Sequence, residues 1–210
     1  MTASILPTGN ELVPAGGPVP AGKNVEYNGV MMAAQVKMMG GEPRLYPITR
    51  DNPAALTAVI NDALAGADIV ILNGGSSKGS DDRALEVLAT IGEILVYEVD
   101  YGPGRHTSMT VAGTKPIVGA VGPTVGAEYA VEWYVRPLIN KYLSQPTPEP
   151  RRLRVKLQED FPAVKVNFYA RLQLDRQADG YVAQRVRNVM PLASQLLAPA
   201  VLYIPAAGPG

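Results

Sequence analysis

The 210-residue sequence contains no cysteine and a single histidine. The lack of cysteine excludes disulfides, a thiolate nucleophile and a cysteine zinc site, and the lone histidine excludes a multi-histidine metal centre. No run of about 18 apolar residues is present, which excludes a membrane-spanning helix. The amino terminus lacks the charged and apolar regions of a secretory signal, so we expect a cytoplasmic protein with no membrane partner.

The sequence also lacks an excess of charge of either sign, because its 19 basic and 19 acidic side chains balance. This balance argues against general nucleic-acid binding. The charge is nevertheless uneven along the chain. Residues 1–150 carry ten basic and fifteen acidic side chains, whereas residues 151–210 carry nine and four. Two interpretations stay open: two surfaces that meet each other within or between chains, or a basic contribution to an anionic ligand site.

Strand-like and helix-like segments alternate over residues 1–143, which predicts an α/β fold of three layers with a mostly parallel sheet. The run Asp68–Leu72 is apolar after its first residue, as expected for a strand buried on both faces. Asn52 and Pro53 are typical of a helix start. In the first predicted helix, 27–39, the spacing of four apolar residues predicts the core-facing side; these are Val30, Met31, Ala34 and Met38. Further strands are predicted at 3–6, 45–48, 94–99, 109–111 and 116–121, and further helices at 83–90 and 125–143, the last with a kink at Pro137.

A proline-spaced linker at 144–150 ends this predicted α/β domain. Past it, short alternating runs predict a small β-rich domain over 151–210. The chain starts directly in a core strand and stops in a Gly/Pro-rich segment. We therefore expect a fragment of a larger protein, with an incomplete second domain.

The glycine-rich segment Asn73–Asp82 is the strongest candidate site, because it follows a buried strand and precedes a helix. Exposed N–H groups at such a helix start favour an anion such as phosphate. Asp82 is suited to hold a ribose hydroxyl, a pterin N–H or Mg²⁺. The alternative is a glycine-rich turn in which Asp81 or Asp82 only caps the helix.

Three other loops are predicted to reach the same edge of a parallel sheet. They are Thr8–Glu11, Gly102–His106 and Gly119–Gly126. Glu11 contacts a ligand or is merely solvated, and Glu26 is favoured by the helix dipole in either case. Arg105 either pairs with a phosphate or reaches into solvent.

The order of these loops resembles the molybdopterin molybdenumtransferase family, which includes the gephyrin E domain. The motifs that carry the likeness are ThrGlyAsnGluLeu, AsnGlyGlySerSerLysGlySerAspAsp, GlyProGlyArg and GlyAlaValGlyPro. The resemblance covers the third domain of that family over residues 3–143 and the fourth from Arg151. The first two domains of the family have no counterpart in this sequence. In the family the site lies between the third domain of one subunit and the second domain of its partner.

The resemblance implies a site residue by residue. The family's Thr-Gly-Asp-Glu loop is matched with Asn10 in place of the aspartate, and its two lysines in the Lys-Pro-Gly-Lys-Pro turn are replaced by Gly102 and Arg105. It implies catalytic roles for Asp82, Glu26 and Arg105, and metal binding by Asp82 and Glu26. The implied cofactor-binding residues are Thr8, Gly9, Glu11, Gly74, Gly75, Ser76, Ser77, Gly79, Gly122 and Pro123.

The resemblance further implies a function in molybdenum cofactor biosynthesis. The substrate is then molybdopterin or adenylylated molybdopterin, into which molybdenum from molybdate is inserted with the help of Mg²⁺. The implied partners are this pterin nucleotide, a second copy of the chain in a homodimer and other proteins of molybdenum-cofactor biosynthesis. Because the turn lysines are replaced, a non-catalytic pterin or molybdate sensor, or a dimerisation module, is the alternative. A nucleotide-directed enzyme, as in the competence-damage protein family of the same fold, is a further one.

Overall fold

A computed structural model of the chain describes residues 1–74, 83–187, 190 and 192–207. The chain divides into two compact units. One consists of Met1–Val99 and Gly104–Thr147, and the other of Asp100–Pro103 and Pro148–Gly210. The domain boundaries proposed from the sequence, with a linker at 144–150, stay a prediction.

A six-stranded sheet forms the centre of the first unit, in the order β4-β1-β5-β8-β7-β6. The strands of this unit are β1 (Thr2–Pro7), β2 (Leu12–Val13), β3 (Asn24–Val25), β4 (Glu42–Leu45), β5 (Ile69–Asn73), β6 (Glu93–Val96), β7 (Ser108–Ala112) and β8 (Lys115–Ala120). Strands β4, β1, β5 and β8 pair in parallel, whereas β7 pairs antiparallel with both β8 and β6. This arrangement confirms the predicted mostly parallel α/β sheet. β2 and β3 form a separate two-stranded ladder.

Helices cover both faces of this sheet and make the three layers. They are α1 (Asn28–Met38), α2 (Pro53–Gly66), α3 (Arg83–Ile91), α4 (Thr124–Ala130) and α5 (Arg136–Tyr142). In β5, Ile69 and Ile71 belong to a cluster with α1, α4 and α5, whereas Val70 and Leu72 belong to a cluster with α2 and α3. Residues 69–72 of the strand are all apolar because successive side chains enter opposite clusters.

The predicted core face of α1 is wrong. Its buried residues are Gly29, Met32 and Val36, while Val30 is 63% and Met38 86% exposed. Apolar residues occur on both sides of this helix, so periodicity alone does not choose between them. The choice follows from Gly29, because a Cβ there would lie 2.6 Å from the Leu45 side chain. The helix packs closely through its glycine, and of the predicted stripe only Met31 packs against the core, while Val30, Ala34 and Met38 are exposed.

Two other segments differ from the sequence prediction. The strand expected at 45–48 occupies Glu42–Leu45, where it pairs with Thr2–Ile5. The helix expected at 125–143 is interrupted by a π-helical turn at Val131–Val135, in which the Arg136 N–H bonds the Val131 carbonyl. Pro137 has no N–H to donate, and the wider turn lies directly before it in the chain.

The second unit contains a four-stranded sheet in the order β12-β10-β11-β9. Its elements are β9 (Val155–Leu157), β10 (Phe168–Gln177), β11 (Gly180–Arg185), a short helix α6 (Leu192–Leu196) and β12 (Ala200–Ile204). Strand β10 pairs antiparallel with both β11 and β12. The strand-like runs predicted past the linker are therefore strands. Within the ranges that the structure describes, no helix combines the length and apolarity that crossing a membrane requires.

Asn52 caps α2, since its Oδ1 accepts the Ala55 N–H at 2.8 Å. We expect Asn52→Ala to lower the free energy of unfolding by about 1 kcal/mol, because this N–H loses its partner. The matched control is Asn61→Ala, at an exposed position of the same helix, where we expect a change within about 0.5 kcal/mol. Urea denaturation measures both. Equal losses in the two variants would show that the cap does not stabilise α2.

Candidate functional site

The carboxyl ends of β1, β5 and β8 lie side by side and open into a cleft of about 470 Å³. Its described lining residues are Thr8, Glu11, Leu12, Asn24, Val25, Glu26, Tyr27, Asn28, Asn73, Gly74, Gly122 and Pro123. Six of them are site residues expected from the sequence: Thr8, Glu11, Glu26, Gly74, Gly122 and Pro123. The structure thus brings together residues from three of the four predicted loops and from the segment before α1.

The loop after β1 is held in place by backbone bonds to two neighbouring segments. The Thr8 N–H donates to the Asn73 carbonyl at 2.8 Å, and the Gly9 N–H donates to the Thr49 carbonyl at 3.1 Å. Thr8 is buried, and Gly9 is not among the described residues that line the cleft. These bonds orient the chain so that Glu11 reaches the cleft.

Asp51 ties the same loop to the start of α2. Its Oδ2 accepts the Asn10 N–H at 3.2 Å, and its own N–H donates to Asn10 Oδ1 at 3.3 Å. Burial raises the pKa of the Asp51 carboxyl above its ordinary value. The Asn10 N–H opposes that shift, and the negative charge of Glu11 adds to it.

Two asparagine side chains join the three strand ends. Asn73 Nδ2 donates to the Ala120 and Val121 carbonyls at 3.3 and 2.8 Å. Its Oδ1 accepts from Asn28 Nδ2 at 3.1 Å, and the same Asn28 nitrogen donates to the Gly122 carbonyl at 2.8 Å. All partners of both nitrogens are acceptors, so neither amide can be turned over without setting oxygen against oxygen. Asn28 Oδ1 is buried and has no hydrogen-bond partner among the described residues.

The charged groups on the described wall of the cleft are both acidic. Glu26 Oε1 accepts the Gly29 N–H at 2.7 Å, in the first turn of α1. The Glu11 carboxylate lies against the Gly9 backbone, where a Cβ would come within 2.8 Å of both of its oxygens. No lysine or arginine is among the described lining residues. This wall therefore offers hydrogen-bond acceptors and negative charge.

Gly74 makes the turn that leaves β5 at the cleft. Its φ is +98°, in the left-handed region, and a Cβ would overlap the Thr8 carbonyl oxygen. The Gly74 N–H donates to the Ala120 carbonyl at 2.9 Å. Both the backbone conformation and the close approach of β1 require a glycine here.

Arg105 lies elsewhere in the first unit. Its Nε is 3.1 Å from Glu98 Oε2, and the second carboxylate oxygen is 2.8 Å from His106 Nδ1. The Arg105 side chain is 63% exposed, and it is not among the described cleft-lining residues. The structure therefore does not bring Arg105 to the residues that line the cleft.

The other predicted site residues, Gly75, Ser76, Ser77, Gly79 and Asp82, lie outside the described residues. Their roles, and a metal site that includes Asp82, stay predictions. Within residues 1–74, 83–187, 190 and 192–207, no three histidine or acidic side chains converge as metal ligands.

A family model described as a probable molybdopterin binding domain matches residues 4–141, which include every described residue that lines the cleft. The chain belongs to this family. Its second compact unit, from Pro148 onward, lies beyond the match.

Curated relatives of this domain family include a molybdopterin molybdenumtransferase from Nostoc sp., 37% identical over 142 residues, which cover 66% of this chain. Another from Staphylococcus epidermidis is 31% identical over 172 residues, covering 81% of the chain. The matches span 33% and 41% of the lengths of these two relatives.

A solved structure shares the fold over nearly all of this chain. The crystal structure of the molybdopterin biosynthesis MoeA protein from Pyrococcus horikosii superimposes with a TM-score of 0.83. The match covers 97% of this chain and 50% of that one, at 23% sequence identity. At that identity the likeness supports the fold alone.

Sequence reasoning missed several residues on the β3–α1 side of this cleft. Asn24, Tyr27 and Asn28 line it, and Thr124 Oγ1 donates to the Tyr27 hydroxyl at 3.0 Å. The available signal was the position of Asn28, two residues after the predicted Glu26 and at the start of a helix that begins at the sheet edge. An asparagine there has no unusual local pattern, so only its contacts reveal its importance.

We expect Gly74→Ala to lower the free energy of unfolding by about 1–3 kcal/mol or more, because it combines a left-handed φ with a steric overlap. Gly122→Ala is the control, since a Cβ at Gly122 meets nothing within 4 Å. Its expected change is within about 0.5 kcal/mol. Thermal and urea unfolding measure both variants. Comparable stability of the two would contradict the close approach of β1 to Gly74.

The raised pKa of Asp51 makes the stability of the fold depend on pH. Because the folded state holds this proton more tightly than the unfolded chain, the Asp51 contribution becomes less favourable as the pH rises above the ordinary value of 3.8. Asp51→Asn keeps an oxygen for the Asn10 N–H and removes the charge. We therefore expect the variant to gain stability relative to the wild type between pH 4 and neutrality, measured by unfolding at a series of pH values. A difference that is constant with pH would refute this effect.

Proposed function

We propose that this chain binds molybdopterin or adenylylated molybdopterin in the cleft at the carboxyl ends of β1, β5 and β8. The observation that carries the proposal is the cleft itself. Six residues that match the site loops of the molybdenumtransferase family line it together, on a chain that belongs to a probable molybdopterin binding domain family. The relatives that bear the name molybdopterin molybdenumtransferase support the same substrate.

The proposed reaction is insertion of molybdenum from molybdate into the dithiolene of the pterin, with release of the adenylyl group as AMP. Glu11, Glu26 and the backbone at Thr8 and Gly74 hold the substrate in the cleft. The glycine-rich residues Gly75–Gly79 bind its phosphate in this proposal, because N–H groups that precede a helix favour anions. Arg105 contributes positive charge only if it leaves Glu98.

Mg²⁺ is the proposed assisting ion. It prefers oxygen ligands and is commonly held by one or two carboxylates together with substrate phosphates. Glu26 fits that role. Its Oε1 accepts the Gly29 N–H, and its Oε2 has no hydrogen-bond partner among the described contacts. We propose Asp82 as the second carboxylate. A bound Mg²⁺ would neutralise phosphate charge as the AMP group leaves.

A non-catalytic pterin sensor is the second candidate, and one observation favours it. The family's lysines in the turn before β7 are replaced here, and the guanidinium of the replacing Arg105 is paired with Glu98. A chain without free cations at this turn would retain pterin binding while losing the anion chemistry.

The remaining proposals rest on the family resemblance. We propose a homodimer, a cytoplasmic location and contact with other proteins of molybdenum-cofactor biosynthesis. The opposite net charges of residues 1–150 and 151–210 are in keeping with complementary surfaces.

The binding experiment is an anaerobic titration of the chain with molybdopterin and adenylylated molybdopterin, followed by pterin fluorescence. We expect micromolar or tighter affinity, and at least about a tenfold loss, or about 1.4 kcal/mol, in Asp82→Ala. The control is Asp179→Ala, at an exposed turn of the second unit, which should bind as the wild type does. No binding up to about a millimolar would refute the proposed function.

Turnover separates the enzyme from the sensor. Adding molybdate and Mg²⁺ to the complex with adenylylated molybdopterin should release AMP in one equivalent per pterin if the chain is catalytic. Retained binding without AMP release would favour the sensor.

A further inference from the structure

The charge and hydrogen-bonding character of the cleft wall indicate how a ligand lies in it. Its charged side chains in the described part of the chain are Glu11 and Glu26, and its other polar side chains come from threonine, tyrosine and asparagine. Placing a phosphate or molybdate against these carboxylates with no cation between them is unfavourable, because like charges repel in a partly desolvated site. The Mg²⁺ proposed above lies at Glu26, so at Glu11 a group rich in N–H donors is favoured.

We propose that this wall binds the N–H-bearing edge of the pterin ring and that Glu11 and Asn28 recognise this edge by accepting its hydrogen bonds; this inference rests on the proposed function. The phosphate and the metal-binding end of the ligand then lie away from Glu11. The orientation goes beyond the identity of the substrate, because it assigns a specificity role to two named side chains.

Glu11 is suited to accept two hydrogen bonds at once. Its side chain is exposed, and neither carboxylate oxygen has a hydrogen-bond partner in the ranges that the structure describes. Glu26 differs, because its Oε1 is already occupied by the Gly29 N–H. A pterin carries a 2-amino group beside a ring N–H, which present two parallel donors. A carboxylate accepts such a pair in the same forked geometry in which it accepts a guanidinium.

Asn28 supplies the further acceptor. Both hydrogen-bonding directions of its Nδ2 are used, by Asn73 Oδ1 and the Gly122 carbonyl, so the orientation of the amide is fixed. Its buried Oδ1 then remains without a partner among the described residues. An unsatisfied buried acceptor is unfavourable, because it has lost its bond to water and gained none in return. A ring N–H of a ligand would supply the missing bond once the groups that cover Oδ1 move aside.

A divalent cation alone is the competing occupant of such an acceptor-rich wall. In the described part of the chain, however, no three acidic or histidine side chains converge. The fixed Asn28 amide and the unpartnered Glu11 carboxylate fit a planar donor edge, while the Mg²⁺ proposed at Glu26 takes its oxygen ligands there together with the substrate phosphate.

The test compares pterin with the same bicyclic ring lacking the 2-amino group, by fluorescence titration of the full chain. We expect the wild type to bind pterin at least about tenfold more tightly. Glu11→Gln, which replaces one acceptor oxygen by a donor, should abolish most of that preference. Glu42→Gln, an exposed carboxylate on β4 outside the cleft, should preserve it.

Asn28→Ala should weaken the binding of both ring compounds. The melting temperature of this variant shows whether loss of the amide hydrogen bonds has unfolded the protein. Because Glu11 is exposed, Glu11→Gln keeps the test decisive even if Asn28→Ala unfolds. A preference that survives Glu11→Gln, a wild type that does not distinguish the rings, or binding of Mg²⁺ alone that displaces pterin would each overturn the orientation.

The same titrations separate this inference from the proposed function. If the wild type binds molybdopterin but binds pterin and the ring without the 2-amino group equally tightly, only the orientation is refuted. A wild type that binds neither molybdopterin nor pterin refutes both.

Discussion

The buried amide of Asn73 is the contact on which the cleft depends. It closes β5 onto the last residues of β8 through two carbonyls, while its backbone carbonyl receives the N–H and the hydroxyl of Thr8 from β1. Three separate segments therefore meet at one buried residue. An aliphatic residue of similar size would leave the Val121 carbonyl without this donor, whereas the Ala120 carbonyl would keep the Gly74 N–H. The arrangement of the cleft follows from this polar contact between the strand ends.

The sequence predicted those parts of the fold that local physics determines. Residues 69–72 of β5 form an uninterrupted apolar run, and α2 starts with an asparagine followed by a proline. The core-facing side of α1 was mispredicted because the helix is apolar on both sides. The contact that decides between them, Gly29 with Leu45, joins residues that are distant in sequence. The π-helical turn at Val131–Val135 was not predicted either, because the sequence indicated only a kink at Pro137.

The site was predicted to a similar extent. Glycines and acidic residues at strand ends were recognisable, and Thr8, Glu11, Glu26, Gly74, Gly122 and Pro123 do line one cleft. Asn28 was not recognisable, because its role arises from bonds to Asn73 and Gly122, which are 45 and 94 residues away. Arg105 shows the converse. Its residue type suggested an anion contact, but a neighbouring glutamate already engages it.

The reversal of direction at β7 has a consequence for how such a site can diversify. Ser108, the first residue of β7, pairs with Gly119 near the end of β8. A loop that enters an antiparallel strand thus arrives at the same rim as the loops that leave the parallel strands, without a helix crossing the sheet. The segment Gly104–Thr107 adds to this rim from a hairpin at the side of the sheet, whereas the parallel centre is built from β1, β5 and β8. Because Arg105 and His106 lie outside the three central strands, substitutions there can alter the charge of this rim while the contacts between the central strands stay as they are.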